Sequence, residues 1–234
     1  MAVVTVGPSV SWYLTRASGA VALVLLTASV VIGIAAIARL RAPGVPRFVV
    51  DGVHRTVSLL AIAFLGVHII TAVLDSFVSI SLVDAVIPFT GSYRPLWLGL
   101  GAVAFDLLLA VAITSLIRDR MGHLSWRAVH WLAYAAWPVA VVHGFGTGSD
   151  VRETWLEAIN VACIVAVLAA VAGRAMIGWP ENLRMRVGAL ATAAVFAGGL
   201  VLWLPGGPLG NGWARRAGTP PSLLSHGAAR GRRS

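Results

Sequence analysis

Four of the six histidines in this sequence fall in two apolar stretches. The first runs from His54 to His68 and the second from His130 to His143, spacings of 14 and 13 positions, with almost wholly apolar residues between. Hydrocarbon gives an imidazole no partner, so an ionisable side chain in such a stretch marks a functional site by default. Imidazole is also a usual protein ligand for haem iron. Two histidines in each of two stretches therefore read as two haem-binding pairs.

Helices must position those pairs. The chain has 234 residues, 58% hydrophobic and 12% charged, where a soluble domain would carry about 25% charged residues. Apolar runs cover about 17–38, 54–74, 96–117, 126–145, 155–173 and 187–204. Some 20 helical residues cross the roughly 30 Å hydrocarbon layer. Only helices and closed barrels can span it, and alternating strand patterns are absent. The expected fold class is an all-α integral membrane protein, a six-transmembrane-helix bundle with no soluble domain. Residues 1–16 form a short N-terminal segment, 17–204 the bundle, and 205–234 a flexible Pro/Gly/Arg-rich tail. The first run is too long for the apolar core of a signal peptide and ends at Arg39 and Arg41. Trp12, Trp97, Trp126, Trp155 and Trp203 lie near run ends, as an interfacial belt requires.

The net charge of +9 comes from eighteen arginines and no lysine. One set of loops holds Arg39, Arg41, Arg47 and Arg55, then Arg118, Arg120 and Arg127, then Arg174, Arg184 and Arg186. The opposite loops hold only Arg94 and Arg152, beside Asp75, Asp84, Asp150 and Glu153. Positive-inside asymmetry places the first set in the cytoplasm and both termini of this multi-pass cell-membrane protein outside. Arg215, Arg216, Arg230, Arg232 and Arg233 in the tail oppose that count, and the three short loops outweigh them. Topology thus accounts for the charge, and no basic face points to nucleic acid. The single cysteine, Cys163, excludes an intrachain disulfide, a Cys-x-x-Cys-His haem attachment and a four-cysteine cluster.

In this topology the second and fourth runs are parallel. His54 and His130 fall near the cytoplasmic side and His68 and His143 near the outer side, about 21 Å apart along a helix. At about 100° per residue, 14 steps return to within about 40° of the same face, whereas 13 steps miss by about 140°. Pro138 lies between His130 and His143 and is expected to kink that helix and re-aim one ligand. Arg55 and Arg127 flank the inner histidines, where a guanidinium suits a haem propionate or serves as a simple membrane anchor. Arg94 is placed for an outer propionate or an anionic substrate. Asp106 is the one acid deep in a run, either bonded to a neighbouring helix or part of a proton path. His123 and His226 read as solvated, and Glu157 and Asn160 as interfacial.

The double histidine pair on parallel helices resembles the ferric reductase-like transmembrane domain, over about residues 15–175. That domain is shared by ferric-chelate reductases, NADPH oxidases and the haem-binding membrane partner of periplasmic methionine sulfoxide reductase. The resemblance implies that His54 with His130 binds an inner haem b, and His68 with His143 an outer one. Electrons would then pass from the cytoplasmic side to an acceptor outside. Relatives often carry a cytosolic flavin and nicotinamide domain after the last helix. Here the glycine-rich stretch 206–212 follows no strand and opens no helix, so it lacks the context of a dinucleotide fingerprint. The expectation is an electron-transfer component with a separate donor, a flavoprotein or a quinol. Its outer acceptor would be a ferric chelate, oxygen or a redox protein. The competing class is a proton-coupled transporter using the intramembrane histidines and Asp106, which predicts broken helices in corresponding halves of the chain.

Overall fold

Runs of apolar residues leave the backbone no solvent to bond with, so it closes its hydrogen bonds within helices. A computed structural model describes residues 9–37, 46–75, 78–148, 152–177 and 179–224, and every regular element among them is helical. Arg39, Arg41, Asp150, His226 and the arginines at 230, 232 and 233 lie outside the described residues. The helices are α1 (Val10–Ile37), α2 (Arg47–Val73), α3 (Leu82–Val86), α4 (Pro95–Leu116), α5 (His123–His130), α6 (Leu132–Thr147), α7 (Thr154–Met176), α8 (Leu183–Gly206) and α9 (Trp213–Arg216).

Among the described residues five helices, α1, α2, α4, α7 and α8, are long and apolar enough to cross a membrane. The count of six differs at the fourth run, which is divided into α5 and α6 at Trp131. There the Tyr134 N–H donates to the Trp131 carbonyl at 3.0 Å, a three-residue step that interrupts the four-residue ladder. The expected kink at Pro138 is not where the chain breaks, since α6 runs through that proline. α1 begins at Val10, before the expected boundary at 17, because Arg16 does not end it: its guanidinium rests 3.5 Å over the Trp12 ring.

α1 packs against α2 along its length, and α4 against α6. Contacts tie Ser29 to Ser58 and Thr15 to Thr71, so α1 and α2 are antiparallel. The pairs are joined through α1: Trp137 Nε1 on α6 donates to Thr27 Oγ1 at 2.9 Å. Leu26, Val30 and Ile34 of α1 meet Trp137, Val141 and Phe145 of α6, Val167 of α7 and Leu200 of α8 in the buried core. α2 keeps most of its surface outside that core, with Leu59, Phe64 and Ile70 exposed, as a lipid-facing helix would.

The stretch after α8, expected from composition to be mobile, is folded over one end of the bundle as far as Leu224. Trp213 Nε1 donates to the Gly146 carbonyl at 3.1 Å, and the Arg94 N–H donates to the Gly218 carbonyl at 3.1 Å.

Candidate functional site: two facing histidine pairs

α2 and α6 run in the same direction, each as the antiparallel partner of its neighbour, and no packed face joins them. His54 faces His130 across that seam with ring centroids 6.3 Å apart, and His68 faces His143 at 6.5 Å. The ring planes are inclined at 70° and 85° respectively. The 13-residue spacing works because His130 ends α5 and His143 lies on α6. The straight-helix phase that separates the two faces does not carry across the break at Trp131.

The two levels are held differently. His68 Nδ1 lies 2.8 Å from the Thr15 carbonyl and His143 Nδ1 2.8 Å from the Trp97 carbonyl. A carbonyl only accepts, so each Nδ1 carries the proton and each Nε2 is left with a free lone pair. His54 Nδ1 and His130 Nδ1 are buried without a well-formed hydrogen bond, although the Ser29 backbone lies within electrostatic reach of His54. The His130 ring instead stacks on Trp126, with centroids 4.9 Å apart and planes inclined by 26°.

Glycines make room for the rings. A Cβ at Gly19 would stand 2.8 Å from His68 Nδ1, and one at Gly101 would overlap the His143 ring. Gly33 lies beside His54, its Cβ position 3.5 Å from Cε1. Sequence reasoning missed these glycines and Thr15, and gave Trp97 and Trp126 only a place in an interfacial belt. One signal was present: Gly19 and Gly33 are 14 positions apart, as are His54 and His68, and antiparallel packing sets each glycine against one histidine.

Arg55 and Arg127 are exposed beside the His54–His130 pair, and among the described residues neither side chain has a hydrogen-bonding or charged partner. Arg94 is buried at the other end. Its Nε donates to Thr219 Oγ1 at 2.9 Å and its Nη1 to the carbonyls of Gly146 and Thr147 at 3.1 and 3.0 Å. Asp106 is half-buried in the middle of α4 and, among the described residues, makes no hydrogen bond or ion pair. His123 is exposed at the start of α5.

Among the described residues no three histidine, cysteine or acidic side chains gather to hold a metal ion. Among the described residues each level brings two imidazoles face to face. No curated protein and no solved structure matches the chain. Residues 18–141, more than half of the chain, match the ferric reductase like transmembrane component family. That span holds the first histidine pair whole, His130 of the second, and Gly19, Gly33 and Gly101. On that match the chain belongs to the ferric reductase-like transmembrane component family.

Proposed function

We propose that this protein is a b-type dihaem membrane cytochrome: an electron-transfer component that moves electrons across the bilayer between partners on its two sides. Family membership implies transmembrane electron transfer. The observation that carries the finer reading is the pair of facing imidazoles at each of two levels. A metal–imidazole bond is about 2 Å long. Separations of 6.3 and 6.5 Å would leave room for one metal ion between the two rings of each pair. Two protein ligands per site suit a group that supplies four equatorial nitrogens of its own; a bare ion would want three or four side chains. The unpacked seam between α2 and α6 suits a flat, wide group.

On this reading His54 and His130 hold the inner haem and His68 and His143 the outer one. A bound haem supplies an iron that takes up and gives back one electron. The chain's own residues orient the ligands and keep the sites dry. Thr15 and Trp97 fix the tautomer of the outer histidines through their carbonyls, the kind of outer-shell bond that makes a ligand more basic. Arg55 and Arg127 are free to pair with inner propionates. Arg94 uses Nε and Nη1 within the protein, which leaves Nη2 for an outer propionate or an anionic substrate. The donor is a separate flavoprotein or quinol. The acceptor on the outer side is a ferric chelate, oxygen or a redox protein.

The test is a reduced-minus-oxidised visible spectrum of the detergent-purified protein with a haem count. Two b-type haems per chain are expected, and His68→Ala or His143→Ala should remove one and leave the other. Retention of both haems in either variant would overturn the ligand assignment. Absence of haem in protein expressed with ample haem would retire the cytochrome and favour a proton relay through the histidines and the unpaired Asp106.

A further inference from the structure

We propose that Trp126 is the positioning residue of the inner ligand His130, its indole face standing where a backbone carbonyl stands for His68 and His143. The proposal rests on the two-haem reading above and goes beyond it. Both outer rings are locked at a named carbonyl, 2.8 Å from Nδ1. His130 has no such lock, because its buried Nδ1 finds no acceptor among the described residues. It is also the last residue of an eight-residue helix, next to the turn at Trp131, where the backbone alone holds a side chain least firmly. Trp126 lies four residues earlier on the same helix, so the two side chains share a face. The indole covers the imidazole at 4.9 Å and 26°.

The indole is itself fixed on two sides. Its Nε1 reaches Ser115 Oγ on the last turn of α4 at 3.4 Å, and the exposed His123 ring lies 5.8 Å beyond it. Such a stack restricts rotation of the imidazole about its side-chain torsions without consuming either ring nitrogen. Nε2 stays available for iron, and the 70° inclination to His54 is held from outside the pair. An outer-shell partner of this kind sets ligand orientation, and its loss commonly lowers metal affinity by about tenfold or more. Simple aromatic packing at the membrane boundary would have no such effect on the cofactor.

The experiment uses the full-length, haem-loaded protein in detergent and reads the low-spin ferric signals by low-temperature electron paramagnetic resonance. The anisotropy of each signal follows the angle between its two axial imidazole planes. His68→Ala, which keeps only the inner haem, identifies the inner signal. In Trp126→Leu the inner signal is expected to shift and the inner pair's haem affinity to fall by about tenfold, with the outer signal unmoved. Trp126→Phe keeps a ring face and should restore most of both. An inner signal and affinity unchanged in Trp126→Leu would overturn the proposal while leaving the dihaem reading standing. If Trp126→Leu loses both signals through misfolding, Ser115→Ala gives the same reading: it frees the indole edge and should broaden only the inner signal, and no change there overturns the proposal. Unmodified protein with no inner signal would overturn the dihaem reading and this proposal together.

Discussion

The histidine side chains are placed by their neighbours' lack of side chains as much as by their own helices. The pairing itself was legible in the sequence, because four imidazoles in apolar runs at 14 and 13 positions leave few other uses. The glycines opposite them were not, since the chain has 25 glycines and membrane helices tolerate them widely. Only the antiparallel contact of α1 with α2, and of α4 with α6, selects which of them matter. On the dihaem reading, Gly101→Val and Gly19→Val are expected to push His143 and His68 off their carbonyls and remove the outer haem, leaving the inner one. Haem content per chain checks this, and two haems in both variants would refute it. Gly33→Ala should behave differently. Its Cβ would meet His54 at 3.5 Å, an ordinary contact, so both haems should remain, and the helix should gain up to about 1 kcal/mol of propensity.

Among the elements, the loop structure was the least legible. The sequence pass did not single out α3, yet Ser81 caps it in a reciprocal box: Asp84 N–H donates to Ser81 Oγ at 3.2 Å and Ser81 N–H to Asp84 Oδ2 at 2.9 Å. The Ser81 backbone N–H and hydroxyl, with help from Thr90, hold the Asp84 carboxyl below its ordinary range. A depressed folded pKa gives support that is fully present above the unfolded value of about 3.9 and is lost as pH falls through the folded one. Protection of the 82–86 amides from exchange, relative to each amide's intrinsic rate, should therefore fall only below about pH 4, and Ser81→Ala, which keeps the backbone N–H, should lessen that pH dependence; loss of protection near neutrality would refute it. The folded tail hangs on Arg94, a non-glycine residue held at φ 42°. Composition pointed to mobility, because prolines and glycines bury little apolar surface. It could not register that one guanidinium would gather Thr219 and the carbonyls at the end of α6. Arg94→Ala should cost roughly 3 kcal/mol through lost charged hydrogen bonds and expose 207–219 to limited proteolysis. A cleavage pattern and melting temperature like those of the unmodified protein would contradict this.

At the scale of the whole molecule the undecided quantity is the number of crossings, because α6 by itself is 16 residues long, about 24 Å. Registration with α2 argues that α5 and α6 together make a sixth crossing. Both levels of α2, His54 and His68, meet partners on that unit, so it covers the same depth of about 21 Å. Arginine placement argues the same way. With five crossings Arg174, Arg184 and Arg186 would face outward, against the asymmetry set by the other loops. Cys163, the one native cysteine, is buried in α7, so a Cys163→Ser background leaves a clean surface for labelling. Single cysteines can then be introduced at the exposed positions Leu82, Leu124 and Ser222 as Leu82→Cys, Leu124→Cys and Ser222→Cys. Six crossings require Leu82→Cys and Ser222→Cys to react with an impermeant maleimide from the same side, outside intact cells, and Leu124→Cys only after permeabilisation. Five would put Ser222→Cys with Leu124→Cys on the inner side. That outcome would also put the folded tail on the opposite side of the bilayer from Arg94, against the hydrogen bonds that join Arg94 to Gly218 and Thr219.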